Sequence, residues 1–263
     1  MLLSVQALAQ DQRPLPRGAP EVFVRTAVRV HVRVHEDLEP DRLRDLTRPR
    51  VTLWLTTRTN TLRASTLENV ARFDVAWVQL RKPLKSVDAT VYARAPSVGA
   101  WVVPADLEVA SRLPGARRVA INVQGALSEA LVAQLSKARP AELSWKPGGA
   151  IDLLSWGQFR QLPGRRIVVP AADSLLPVKC EARTSDDPSV ELHVATLLAL
   201  SSDVFPCGTG TRVVVPPETE AWLLQSLLVR DPSVELIIEI GADSSKALAA
   251  RKLFDTLQLG PSR

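Results

Sequence analysis

The sequence has few of the residues that carry metal, redox or covalent chemistry. Its 263 residues include only two cysteines, three histidines, one tyrosine and one methionine. The cysteines and histidines show none of the spacings typical of a zinc site, so we expect neither a metal nor a cofactor. No Gly-x-Ser-x-Gly motif occurs, and Gly208-Thr-Gly210 lacks the lysine that a phosphate-binding loop requires. The sequence therefore gives no support to nucleophilic or nucleotide-dependent catalysis.

Long apolar runs are also missing. No stretch reaches the roughly 18 uninterrupted apolar residues of a transmembrane helix. Hydrophobic residues nevertheless make up 46% of the chain, which is enough for a sizeable core. The formal net charge of +5 comes mainly from arginine, and we interpret it as a composition bias. Nucleic acid is not expected as a partner, because no known nucleic-acid-binding signature occurs.

Two features of the sequence bear on its compartment. Ala7-Leu8-Ala9 has the small-x-small form of a signal-peptidase site, so residues 1–20 are predicted to be a signal-peptide remnant or a disordered N-terminus. Cys180 and Cys207 lie 27 residues apart, near one repeat length, and would form a structural disulfide in an exported protein. We therefore expect a periplasmic or secreted protein, with a cytoplasmic one as the alternative.

Internal repetition is the clearest pattern in the chain. Asp187-Pro-Ser-Val-Glu-Leu192 recurs at 231–236, and Leu113-Pro-Gly-Ala-Arg-Arg-Val119 resembles 162–167. Both offsets correspond to two steps of about 22 to 24 residues. Alternating aliphatic residues in this frame predict ten strands with amphipathic helices between them, which implies parallel pairing. The strands are predicted at Val28–Val34, Val51–Leu55, Ala76–Leu80, Val98–Val103, Val119–Val123, Ala141–Trp145, Ile167–Val169, Val190–Val194, Val213–Val215 and Val234–Ile240. Residues 21–263 would form one domain, with an irregular cysteine-containing segment at 171–210.

One face of the predicted sheet carries charges whose sign alternates from strand to strand. These residues are Arg118, Glu142, Arg166, Glu191, Arg212 and Glu235. Because neighbouring strands lie about 4.8 Å apart, each arginine would lie beside a carboxylate. Such a row fits either the wet face of an open, curved sheet or a polar layer at the end of a closed barrel.

The repeat length, together with Leu113-Pro-Gly-x-x-x-Val-x-Ile121, resembles the leucine-rich-repeat class over roughly residues 40–257. This resemblance implies a horseshoe, in which a curved open parallel sheet carries helices outside and a concave strand face for binding. The alternative is a TIM-like (β/α)8 barrel, although its units normally need about 30 residues. We favour the open repeat.

Two sets of residues are candidates for a binding surface. Trp54, Trp77 and Trp101 fall on consecutive strands, on the face away from the helices, where they would stack on a sugar or anchor a protein, or else form core. On the first strand Arg29, His31, Arg33 and His35 alternate with valines. We interpret them as a charged edge strand, or as a cationic stripe that joins the tryptophans in one groove.

The leading hypothesis for function is a non-enzymatic binding or scaffold protein of a bacterial envelope, with a protein or glycan partner. Its binding residues would be Trp54, Trp77, Trp101, Arg29, His31 and Arg33. The alternative is a TIM-barrel-like carbohydrate-active hydrolase, in which Glu239 pairs with Glu218 or Asp173, or a degenerate barrel that only binds. Closure of the sheet discriminates between the two, because an enzyme of this class needs strand one to pair with the last strand and carboxylates to converge at one mouth. The polar residues at the predicted strand ends are Arg58, Arg81, Lys146, Asp173, Glu218 and Glu239.

Overall fold

The computed structural model of the protein describes residues 28–80, 92, 97–112, 118–149, 151–170, 188–193, 211–230 and 232–259. Ten strands alternate with helices along this part of the chain. The strands are β1 Val30–His35, β2 Val51–Thr56, β3 Val75–Gln79, β4 Val98–Val102, β5 Val119–Gln124, β6 Glu142–Lys146, β7 Arg165–Pro170, β8 Ser189–His193, β9 Arg212–Val215 and β10 Glu235–Gly241. The α-helices of the described ranges are α1 Pro40–Asp45, α2 Ala64–Val70, α3 Leu107–Ser111, α4 Glu129–Ala138, α5 Leu153–Arg160, α6 Ala221–Arg230 and α7 Ser244–Thr256.

The ten strands form one closed, all-parallel barrel. Each strand pairs with its neighbours in sequence, and β1 closes the ring by pairing with both β2 and β10. Val30 thus lies opposite Val51 on one side and Leu236 on the other. The predicted open horseshoe is therefore wrong, because the two strands that would have been its free edges hydrogen-bond to each other. The TIM-like alternative has the right architecture, with ten strands in place of eight.

The main hydrophobic core lies between the barrel and its helices. Alternate residues of β1, namely Val30, Val32 and Val34, are almost fully buried and point outward to this layer. The helices cover it with their apolar sides, as α7 does with Leu253 and Phe254. Because the outward positions supply this core, the other face of every strand points into the barrel.

Local signals in the sequence fix the ends of several elements. Ser128 and Asp152 cap α4 and α5 by accepting hydrogen bonds from backbone N–H groups two or three residues on, at 3.2 and 2.7 Å. Asp243 caps α7 in the same way. Gly164 begins the turn into β7 with φ +61°, and a side chain there would meet the carbonyl oxygen of Ala141 at 2.6 Å. Only glycine fits at that position.

All ten strands lie within two residues of their predicted bounds, and α4, α6 and α7 are among the amphipathic helices predicted to accompany them. The charged-edge interpretation of β1 is wrong, because β1 has a partner strand on both sides. Residues 1–20 and both cysteines lie outside the described residues, as does the segment 171–210 apart from 188–193. None of the described helices is long and apolar enough to cross a membrane.

Candidate binding site in the barrel interior

The predicted charge row and the predicted tryptophan row both point into the barrel. The tryptophans come from β2, β3 and β4, and the charges come mainly from β6 to β10 and from β1. The barrel interior therefore has an aromatic side and an ionic side. This arrangement corresponds to the polar layer of a closed barrel, which was the second of the two interpretations of the charge row.

Glu191 of β8 is the centre of the part of the ionic side that lies toward the C-terminal ends of the strands. Its carboxylate accepts a hydrogen bond from Arg33 at 2.5 Å, contacts His193 at 3.1 Å, and forms an ion pair with Nε of Arg166 at 3.2 Å. Only 1% of its side chain is exposed. Burial alone would raise the pKa of Glu191, but the hydrogen bond from His193 and the charge of Arg33 outweigh it and hold that pKa below its ordinary value. Glu191 is therefore an ionised partner of Arg33 and Arg166.

Glu142 and Glu235 bind the arginines of the part of the ionic side that lies toward the N-terminal ends of the strands. Glu142 accepts hydrogen bonds from Arg166 at 3.2 Å and from Arg212 at 2.9 Å. Arg212 also donates to Glu235 at 2.6 Å. Burial would raise the pKa of Glu235, but the hydrogen bond from His31 and the charge of Arg212 lower it to about 2. Arg166 is hydrogen-bonded to Glu142 and ion-paired with Glu191, so charged contacts continue through the interior from one end of the barrel to the other.

His31 is neutral in this network, and its tautomer follows from its partners. The indole N–H of Trp54 donates to Nδ1 of His31 at 3.2 Å, so Nδ1 carries no proton. Nε2 lies 2.8 Å from a carboxylate oxygen of Glu235 and donates to it. Burial and the charge of Arg212 lower the pKa of His31, and they outweigh the opposing effect of Glu235. The predicted cationic stripe is therefore not uniformly cationic.

The three tryptophans pack against one another instead of forming an exposed row. The ring of Trp54 stacks on Trp77 at 5.6 Å between centroids and meets Trp101 edge-on at 5.1 Å. The guanidinium groups of Arg166 and Arg118 lie over Trp54 and Trp77 at 5.8 and 5.6 Å. Trp54 and Trp77 are buried, and Trp101 is half-buried. Only Trp101 offers a ligand a partly exposed ring.

The end of the barrel where the strands finish holds a cavity of about 260 Å³, the C-terminal mouth. Trp101 lies on its aromatic side, and Arg33, Glu239 and His193 lie on its ionic side. The remaining wall comes from β5 and β6, where Asn122 pairs with Ser144 and Gln124 pairs with Lys146; we call Asn122, Gln124 and Lys146 the donor corner. The Ser144 hydroxyl donates to the side-chain oxygen of Asn122 at 3.3 Å, so the NH2 group of Asn122 is not used in that contact. In the described ranges the side chains of Gln124 and Lys146 make no hydrogen bond or ion pair.

The opposite end holds a cavity of about 430 Å³, the N-terminal mouth. Its wall includes Trp77, Arg118 and Arg50. Part of the ion network also lines it, namely His31, Glu142, Arg212 and Glu235. Arg29 lies there with a side chain that is 72% exposed, 3.6 Å from Glu235. The predicted binding residues are thus divided between two ends of the barrel, with Arg33, Trp54 and Trp101 at the C-terminal mouth and Arg29, His31 and Trp77 at the N-terminal mouth.

The carboxylate pair considered for hydrolysis is not assembled in the described residues. Glu239 lies at the C-terminal mouth, but Glu218 does not line that cavity, and Asp173 lies outside the described residues. The carboxylate beside Glu239 is Glu191, and Arg33 binds both of them, at 3.0 and 2.5 Å. A guanidinium therefore occupies the place between the two acids where a glycosidic bond would lie in a hydrolase. No group of three or more potential metal ligands occurs among the described residues.

Sequence reasoning found Lys146 and Glu239 as polar strand ends but missed Asn122, Gln124 and His193. A signal was available, because each missed residue follows the charge row on its own strand by an even number of residues. Asn122 and Gln124 follow Arg118 at 118 + 4 and 118 + 6, and His193 follows Glu191 by two. Side chains two residues apart on a strand share a face, so all three had to point the same way as the charges.

No protein-family model and no curated protein matches the chain. Function must therefore be inferred from the residues of the barrel itself.

Proposed function

We propose that the protein is a non-catalytic α/β barrel that binds a small carboxylated sugar in its C-terminal mouth. The observation that carries this proposal is the donor corner, where an ammonium and two amide groups face the cavity. Lys146 and Gln124 are exposed and Asn122 is half-buried. Three polar side chains on adjacent strands that line one cavity are typical of the few polar groups that orient a ligand.

The charges at this mouth favour a ligand with a negative group. Three cations, Lys146, Arg33 and Arg166, line the cavity against two carboxylates, Glu191 and Glu239. Both carboxylates are bound by Arg33, whereas Lys146 has no such partner in the described residues. A ligand carboxylate beside Lys146 would therefore form a new charge-assisted hydrogen bond without breaking an existing one.

The aromatic wall and the size of the cavity favour a single sugar ring. Trp101 lies on β4, next to the strand that carries Asn122 and Gln124, and its half-buried ring lines the cavity; aromatic faces pack well against the apolar face of a sugar. A volume of about 260 Å³ lies just below the usual range of small-molecule sites. We therefore propose a monosaccharide-sized ligand in place of the protein or glycan partner that the sequence alone led us to expect.

The lowered pKa of Glu191 and the hydrogen bond from Arg33 to Glu239 favour binding without catalysis. A glycoside hydrolase of the usual kind needs one carboxylic acid with a raised pKa to protonate the leaving group. At this mouth Glu191 has a lowered pKa, and Glu239 is held by Arg33. Glu191 is therefore not prepared to donate a proton near neutral pH.

The test is calorimetric titration of the full chain with D-glucuronate, D-galacturonate and uncharged D-glucose at equal ionic strength. We expect saturable binding of at least one uronate, and binding of glucose that is roughly tenfold weaker because it lacks the charge-assisted contact. Lys146→Ala should weaken uronate binding by a similar factor. Lys252→Ala, an exposed lysine of α7, is the matched control and should change nothing. Absence of saturable uronate binding, or equal losses in both variants, would refute the proposal.

A further inference from the structure

The N-terminal mouth contains a buried hydrogen-bond donor without an acceptor. Trp77 is only 2% exposed, and its indole Nε1 has no hydrogen-bond partner in the described part of the chain. Buried polar groups in folded proteins are nearly always paired, and an exception indicates a bound water or ion. Trp77 lines the cavity of about 430 Å³ at this mouth, so there is space for such a partner.

The packing of the Trp77 ring restricts where that partner can lie. Its ring stacks near Trp54 and lies beneath the Arg118 guanidinium. The six-membered ring is turned toward Gly99, where an added Cβ would collide with Cζ3 and Cε3. The edge that carries Nε1 is therefore the one turned away from β4. A ligand that accepts this hydrogen bond approaches in the plane of the ring.

The charges around this position favour an anion over water. Four arginines and three carboxylates line the cavity. Glu142 and Glu235 are already bound by Arg212, at 2.9 and 2.6 Å. Arg29 lies 3.6 Å from Glu235, so Arg50 and Arg118 remain with Asp74, which has an interaction of its own. Arg118 uses one N–H for the Ser97 carbonyl at 2.8 Å, and Arg50 has no ion pair or hydrogen bond from its side chain in the described residues. The N-terminal mouth therefore has more arginine N–H donors than its carboxylates bind.

We propose that the N-terminal mouth binds a small oxyanion, which accepts hydrogen bonds from the Trp77 indole and from Arg50 and Arg118. Arginine suits such a ligand because its planar fork donates to two oxygens at once. The site lies at the opposite end of the barrel from the donor corner. It therefore stands independently of the sugar-acid proposal.

The experiment follows the indole N–H signals of the six tryptophans by ¹H–¹⁵N NMR of the full chain. The Trp77 signal is assigned by its loss in Trp77→Phe. Sodium phosphate is titrated at constant pH, against sodium chloride at matched ionic strength. We expect a saturable shift of the Trp77 signal with phosphate alone, while the signal of Trp222, exposed on α6, stays in place.

A pair of arginine variants tests whether phosphate binds at the proposed site in the N-terminal mouth. Arg50→Ala should raise the phosphate dissociation constant roughly three- to tenfold, because it removes a charged donor at an exposed position. Arg63→Ala, an exposed arginine at the start of α2, should leave it unchanged, and so should Lys146→Ala. If the Trp77 signal moves equally in chloride, does not saturate, or responds alike in Arg50→Ala and Arg63→Ala, the cavity holds only water and the proposal is wrong.

Discussion

Replacing Glu235 by glutamine tests the ion network inside the barrel. The substitution keeps the size of the side chain and removes its charge. In the parent chain the Glu235 carboxylate accepts a hydrogen bond from Arg212 at 2.6 Å and one from His31 at 2.8 Å. Its side chain is 17% exposed, so water screens these contacts only partly. We expect the free energy of unfolding to fall at neutral pH.

The size of the loss follows from the lowered pKa. The pKa of Glu235 falls from 4.5 to about 2 in the folded protein. At about 1.36 kcal/mol per pKa unit, the ionised form contributes about 3 kcal/mol to the free energy of unfolding at pH 7. Because the folded pKa is the lower one, this contribution is complete above pH 4.5 and is lost as the pH falls toward 2. Near pH 3 about 1.4 kcal/mol should remain.

The assay is urea denaturation followed by circular dichroism at pH 7, 5, 4 and 3, for the parent chain and for Glu235→Gln. We expect a difference of about 3 kcal/mol at pH 7 that shrinks on acidification, with the dependence on urea unchanged. Glu68→Gln, on the exposed side of α2, is the matched control and should stay within about 0.5 kcal/mol of the parent. A loss below about 1 kcal/mol at pH 7, or one that does not vary with pH, would refute the reasoning.

Two further substitutions test other parts of the barrel. Gly164→Ala should lower the free energy of unfolding by about 1 to 3 kcal/mol, because φ is +61° and a backbone carbonyl lies 2.6 Å from the new Cβ. Gly149→Ala, where no atom lies within 4 Å, should cost less than about 0.5 kcal/mol in the same urea experiment, and equal losses would contradict the assignment. Trp54→Phe removes the donor to Nδ1 of His31, so the pKa of His31 should rise toward its ordinary value of 6.5. NMR titration of the His31 ring measures this rise, and an unchanged pKa would show that burial and the charge of Arg212 hold the ring neutral without the Trp54 hydrogen bond.

The strands could be predicted from the sequence because each one carries its own evidence. In β5, for example, Val119, Ile121 and Val123 alternate with polar residues, and both the outer face and the bounds follow from that local pattern. The charge row followed in turn, since strands in a regular parallel order bring corresponding positions side by side. Local periodicity therefore accounts for the elements, their order and the face on which the site lies.

Closure could not be predicted, because it depends on one pairing between residues far apart in the chain. A row of charges such as Arg212 and Glu235 looks the same in sequence on a wet concave face and inside a polar barrel. The edge interpretation of β1 failed for the same reason, since Arg33 reaches Glu191 and Glu239 only after the ring has closed. The acid beside Glu239 could not be predicted for the same reason, because no local pattern shows that it is Glu191 and that Arg33 binds both.

The pairing of β1 with β10 also constrains how the protein is made. Val30 and Leu236 are partners although about 200 residues separate them. At about 5–20 residues per second, a ribosome needs roughly 10 to 40 seconds to synthesise that stretch. During this time β1 has one neighbour, and its other edge is open to unwanted strands. The charges of Arg33 and its partners then have a second role, because hydrated charges on a half-formed sheet oppose aggregation until the last strand arrives. Folding of this barrel should therefore end with closure, and slowed synthesis of β10 should prolong its vulnerable state.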